Sequence, residues 1–282
     1  MRPVLSISPL SYAMHGAASR IRDESVFRED TCMTAEIGSL LASGNTADVF
    51  AWGDNRVVKL YKPAPWAKRV AFREAANQAT VEALGLPVPA VHGVVEHSDR
   101  WGVVSDRVQG ASFAQRMSAD PTLVTGHVEA LIDLQLRLQQ TTAFFFAGVK
   151  QRLATHIGHT PHLDPDRKNA LIAGLRAMPD GDQLCHFDFH PMNVLGTVNS
   201  PVVIDWCDAC RGTPLADGCR SHVLLEIHAE AFAASYLERY CRINQCSADE
   251  LMAWRPYMLA AKLIETPVEA PRLLRLLAAT GW

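Results

Sequence analysis

The sequence predicts an α+β protein, β-rich in its first part and mainly helical beyond about residue 110. Three observations carry this. Short apolar runs broken by Gly, Asn and Asp crowd residues 34 to 108, long stretches of helical periodicity follow Gly110, and 48% of the 282 residues are hydrophobic, ample for a well-buried core. A formal net charge of -3 shows no global basic excess and sets aside a general nucleic-acid or anionic-membrane binder.

Residues 1 to 33 show weak periodicity and are expected to be a loosely ordered N-terminal extension. Their opening, "MRPVLSISPLSYAMHG", is broken by Pro3 and Pro9 and makes a poor signal peptide. No apolar run nears the roughly 20 residues that span a bilayer, so a cytoplasmic location is expected. From residue 34 the runs "EIGSLLASG", "ADVFAWG" and "RVVKLYK" read as three antiparallel strands joined by Gly-Asn and Gly-Asp-Asn turns. A helix from about Trp66 to Leu84 should follow, rich in Ala, Glu and Arg, free of interior Pro or Gly, and stopped by Gly85 with Pro87 beyond. "VHGVVEH" and "RWGVVSDRV" read as two more strands turning at Ser98-Asp99. Residues 34 to 108 therefore form a five-stranded sheet with one inserted helix. Residues 109 to 282 hold helices near 121 to 140, 164 to 178, 215 to 244, 247 to 264 and 268 to 279. Seven cysteines include one CxxC, Cys207 to Cys210, without the second pair that a zinc ribbon needs, so reduced thiols are expected.

The densest chemistry lies in "LCHFDFHPMNVL", residues 184 to 195. As an extended strand it would set His186, Asp188 and His190 on one face like the ligands of a metal centre. As a loop it would free Asp188 and Asn193 for other work. A second stretch, "VVIDWCDA", ends an apolar run at Asp205. Asn193 and Asp205 are oxygen ligands of the kind Mg²⁺ prefers, and Asp188 would then accept a proton from an attacking hydroxyl. Upstream, Lys59 could hold phosphate oxygens if Glu74 on the next helix orients it, and the Gly44-Asn45 turn leaves room for phosphates near backbone N–H groups. Taken singly, these are a snorkelling lysine, a solvated helix carboxylate and an ordinary hairpin.

Taken in order, the Gly44-Asn45 turn, Lys59, Glu74, "HFDFHPMN" and "IDW" resemble the aminoglycoside phosphotransferase and choline kinase branch of the protein-kinase-like fold. That branch has a catalytic loop H-G-D-x-x-x-x-N and a metal motif I-D-W or similar. The resemblance runs from about residue 36 to 230 and includes "GLPVPAV" and "GTPLADGCRSHVLL". It implies a bilobal kinase-like fold that transfers the γ-phosphoryl group of ATP, with Mg²⁺, to a hydroxyl of a small molecule such as an aminoglycoside, an amino sugar or choline. Carried over, it makes Asp188 the catalytic aspartate, Asn193 and Asp205 metal ligands, and Lys59 the phosphate-holding lysine paired with Glu74. The backbone from Asp106 to Val108 would meet adenine, His190 would face the transferred phosphate, and His186 would be structural. Two departures stand out, Phe187 where the family usually has Gly, and Met192 in place of a small or polar residue.

Two rival readings remain. A metal-dependent hydrolase would use His186, Asp188 and His190, with His156, His159 and His162 from a loop-like region as further ligands, but it leaves Lys59, Glu74, Asn193 and the IDW motif unexplained. A nucleotide-binding pseudokinase would be expected to have lost its base or a metal ligand, and neither is lost. Asp208, Asp217, Glu226 and Glu230 are candidates to line a cationic acceptor's pocket, although Asp217 reads equally well as a helix cap.

Overall fold

Period-2 runs and positive-φ turns build the first sheet. In the computed structural model, which describes residues 36–282, β1 (Ile37–Ser43), β2 (Ala47–Trp52), β3 (Arg56–Tyr61), β4 (Val91–His97) and β5 (Arg100–Asp106) form one antiparallel sheet in the order β1-β2-β3-β5-β4. The extension expected over residues 1 to 33 lies outside the described residues. Ser98 (φ 48) and Asp99 (φ 59) both adopt the left-handed conformation that a tight β4–β5 hairpin turn requires. Register places Lys59 of β3 between Val49 of β2 and Val103 of β5. Gly102 matters here: a Cβ at that position would stand 2.7 Å from the Lys59 carbonyl oxygen, so only glycine lets β5 lie this close to β3.

Helix α1 (Ala67–Ala83) crosses between β3 and β4. It buries Ala67, Ala71, Glu74, Gln78 and Val81, a stripe at alternating spacings of four and three that is one face of an α-helix. A glutamate inside that stripe is the first sign that Glu74 has work to do. Gly85, at φ 72, ends the helix in the left-handed cap that favours glycine.

The second part begins with α2 (Phe113–Ala119), α3 (Val124–Gln139), α4 (Val149–His159) and α5 (Pro165–Ala177). Two short hairpin-like pairs follow: β6 (Gln183–Cys185) with β9 (Cys210–Gly212), and between them β7 (Val194–Thr197) with β8 (Ser200–Val203). The chain ends in α6 (Pro214–His228), α7 (Glu230–Asn244), α8 (Ala248–Met252), α9 (Arg255–Glu265) and α10 (Ala270–Ala278). One core cluster, with Tyr236, Tyr240, Trp254 and Leu259, ties these helices to α4; another, with Phe113, Leu134, Phe189 and Trp206, seats residues 184 to 206 against α2 and α3.

Several expectations are corrected here. The helix expected over 215 to 244 is two, because the chain turns at Ala229 (φ -153, ψ 53). The one expected over 247 to 264 divides at Ala253-Trp254, just ahead of Pro256, which is tolerated only in a first turn. Helices α2 and α4 were not foreseen. Helix α4 buries Val149, Leu153 and Ile157 at four-residue spacing, so His156 and His159 sit on a helix and not in a loop. No helix among the described residues is long and apolar enough to cross a membrane.

Candidate active site

From the end of β6 at Cys185 the stretch runs through an irregular loop and a single 3-10 turn (Pro191–Asn193) into β7 at Val194, so His186, Asp188 and His190 do not lie on a strand. Its anchor is His186, fully buried, whose Nε2 donates to the Ile204 carbonyl (3.0 Å) while Nδ1 accepts from the Asp188 N–H (3.3 Å). Burial holds its pKa below the usual histidine value, against the pull of Asp188 and Asp217, which suits the neutral imidazole those two bonds require. With both ring nitrogens engaged, His186 is scaffold and cannot complete a metal face.

Phe187 supplies the loop's bend. It stands at φ 66, a left-handed conformation costing an L-residue about 1–2 kcal/mol, which accounts for glycine being usual at this place. The strain is held on every side. The Phe187 N–H donates to Asp217 Oδ1 (2.8 Å), its carbonyl accepts from Arg220 Nε (3.1 Å), and its buried ring lies 5.4 Å from the Arg220 guanidinium and 5.7 Å from that of Arg152. Asp217, read from sequence as a pocket residue or a cap, is 1% exposed, and its Oδ2 takes hydrogen bonds from Gln135 and Gln139, both 2.8 Å. Thr213 is the residue that caps α6. Met192, the other departure, is simply exposed.

Asp188 follows the bend. Its Oδ2 accepts from Asn193 Nδ2 (3.0 Å) and lies 3.5 Å from His190 Nε2. Burial opposes its ionisation, but His190, Arg220 and His186 outweigh it and hold the carboxyl well below the usual range. Asn193 Nδ2 also donates to the Asp188 carbonyl (2.9 Å), which fixes the amide's orientation and leaves Oδ1 for another partner.

Opposite stands Lys59, with Nζ 2.9 Å from Glu74 Oε1 and 2.8 Å from Asp205 Oδ1. Burial works against its ammonium, yet the two carboxylates more than compensate and raise it above the ordinary lysine value. The Tyr61 hydroxyl donates to the other oxygen of Glu74, a clamp that sequence reasoning missed. Asp205 lies two residues past β8 in a left-handed conformation (φ 65, ψ 63), a strained non-glycine backbone of the kind found at functional sites.

Lys59 and Asp205 border two hollows. One, of ≈ 240 Å³, is walled by Val49, Val57, Val103, Leu195 and Ile204, with Asp106 and Val108 at its edge. The Asp106 and Arg107 N–H groups are bonded to Ala90 and Asn55 carbonyls, whereas that of Val108 has no acceptor among the described residues. The Asp106 carboxylate pairs with His92 (2.7 Å). The other hollow, a cleft of ≈ 530 Å³, is lined by Asn45, Asp188, Arg152, Arg220, Lys262 and Glu265, among others. Gly44 does not line it, and its N–H is already bonded to the Ala47 carbonyl (2.9 Å). His190 borders a third, apolar cavity of ≈ 510 Å³ with Met192, Leu224, Leu225 and Phe232.

The suspected acidic acceptor wall does not form. Asp208 is paired with Arg152 (2.5 Å), Glu226 with Arg255 (2.7 Å), Asp217 holds the loop, and Glu230 is exposed outside the cleft. No group of three or more His, Cys, Asp or Glu among the described residues could hold a metal ion, which removes both the His186-Asp188-His190 face and the CxxC reading. Mg²⁺ asks less of the protein. The carboxylate of Asp205 and the free amide oxygen of Asn193 are an anionic and a neutral oxygen donor, a set that fits Mg²⁺ completing its shell with water and phosphate.

The family model described as "phosphotransferase enzyme family" matches residues 38–257, well over half of the chain. Among solved structures, an apo thermostable mutant of aminoglycoside phosphotransferase APH(4)-Ia shares 18% identity at a TM-score of 0.62, covering 87% of this chain and 95% of that one. The streptomycin-ATP ternary complex of APH(2")-IIa shares 17% (TM-score 0.56; 92% and 97% covered). A choline/ethanolamine kinase family protein from Mesorhizobium loti also shares 17% (TM-score 0.55; 85% and 81%). At such identities the likeness is one of fold, and that fold is the bilobal kinase-like one. A search of curated proteins finds no match.

Proposed function

The chain belongs to the phosphotransferase enzyme family, as a small-molecule phosphotransferase, and from that premise we propose that it transfers the γ-phosphoryl group of MgATP to a hydroxyl of its acceptor. The observation that carries this is the pairing of Lys59 with both Glu74 and Asp205, in one cleft with the Asp188–Asn193 pair. In this reading residues 34–108 bind the nucleotide and residues 109–282 carry the catalytic loop and the acceptor. The apolar hollow suits adenine, with the unengaged Val108 N–H as hydrogen-bond donor. A neighbour of the same fold binds ATP together with streptomycin, which supports the choice of nucleotide.

Each side chain then has a role. Lys59, oriented by Glu74, holds phosphate oxygens, and Asn45 lies at the turn that would cover them. Mg²⁺, held by Asn193 and Asp205, would neutralise charge on the phosphates. Asp188 accepts the hydrogen bond of the acceptor hydroxyl and takes its proton as the new O–P bond forms and the bond to the departing ADP breaks. His190, beside Asp188, helps to hold its orientation.

Asp205→Ala tests the nucleotide half. The wild type should be stabilised by MgATP, by about 2.7 kcal/mol at a hundredfold excess over Kd, and the variant should lose that stabilisation in a thermal-shift titration. An undiminished shift in the variant removes Asp205 from the metal site.

A further inference from the structure

We propose that the acceptor is an anionic alcohol, one that carries a carboxylate or phosphate group bound by Lys262 beside Asp188. The inference rests on the kinase reading and narrows its substrate class. Lys262, on α9, is 6% exposed and lines the Asp188 cleft. The neighbouring cations are already matched: Arg220 with Glu265 (2.5 Å), Arg152 with Asp208 (2.5 Å), and Lys59 with Glu74 and Asp205. Lys262 Nζ has neither an ion pair nor a hydrogen bond among the described residues; Arg69 is likewise unpaired but exposed, so Lys262 is the buried cation of the cleft left over. An ammonium so withdrawn from water is unfavourable unless an anion meets it.

The surroundings agree. Six lysines and arginines line the cleft (Lys59, Arg69, Arg73, Arg152, Arg220 and Lys262) against four acids (Asp188, Asp205, Asp208 and Glu265). Two further donors, Arg220 Nη1 and Arg152 Nε, are buried without a hydrogen-bond partner. A polyamine acceptor would meet repulsion where an anion meets attraction. Burial and the Arg220 charge lower the Lys262 pKa against the pull of Glu265, Asp188 and Glu269, so an anion that meets Nζ restores what its charged form lacks.

Four alcohols of matched size test this with the full chain and MgATP: glycerate, glycerol 3-phosphate, glycerol and 3-amino-1,2-propanediol. Phosphorylation of an anionic member is expected at a kcat/KM at least about tenfold above the other two, and the better of glycerate and glycerol 3-phosphate names the anion. Lys262→Met should raise KM for it by about tenfold or more with kcat little changed, and Lys262→Arg should restore most of the affinity. Equal or better turnover of the neutral or amino alcohol overturns the inference while leaving a kinase, as does an unchanged KM in Lys262→Met. Should none of the four react, sulfate added to the Mg-AMP-PNP complex decides. Thermal stabilisation that is lost in Lys262→Met supports the site, and equal behaviour of the two proteins overturns it. Absence of any MgATP stabilisation in the wild type would instead sink the kinase reading, and this inference with it.

Discussion

Asp188→Ala is expected to cut turnover by about 10²–10⁴-fold, the range typical of a lost general base, while MgATP still stabilises the variant. The carboxylate is ionised and held in place by Asn193 Nδ2 and His190, so it orients and accepts without having to be a strong base. In a loose phosphoryl-transfer transition state little proton transfer is needed before the bond to ADP has largely broken, and such a weak base suffices. Single-turnover measurements on wild type and variant, with MgATP saturating, isolate the chemical step. Turnover within a few-fold of wild type would leave Asp188 without its role.

Asp217→Ala should produce the largest loss of stability, about 3–5 kcal/mol, read as a shift of the urea midpoint at constant m. It strips the acceptor from three buried donors at once, the Phe187 N–H, Gln135 Nε2 and Gln139 Nε2. If Asp217 were only a helix cap, the loss would be about 1 kcal/mol. The two values separate the readings cleanly. Turnover should fall as well, since Phe187 would lose one of the two backbone bonds that keep it left-handed next to Asp188.

What could be read from the chain was local. The five strands and α1 declare themselves through period-2 runs, turn residues and a Gly stop, all within windows of a few residues. The order of polar residues made the kinase-like resemblance visible, and the family match bears it out. The contacts that organise the site were not visible, because they join residues far apart: Lys59 to Asp205 across 146 positions, Phe187 to Asp217 across 30, Arg220 to Glu265 across 45. The break at Ala229 was hidden for another reason. Its neighbours are ordinary helix formers, and no Gly or Pro marks the turn. Phe187 looked like an anomaly in sequence because a backbone angle is not written there; once φ is known, the cation-flanked pocket around the ring explains how a bulky residue occupies a glycine position.

The three-way grouping of Lys59, Glu74 and Asp205 has a consequence for how ligand enters. The resting site already contains its own counter-ion. Under the proposed reading, arrival of nucleotide would be an ion exchange, in which Lys59 leaves Asp205 for the phosphates and Asp205 becomes free to hold Mg²⁺. Binding of this kind would release few ions to the bulk, and affinity for the metal–nucleotide complex should then depend on salt less than it would in a bare cationic pocket. Metal-free nucleotide, which gives Asp205 nothing in return for its lysine, is the ligand such a site discriminates against.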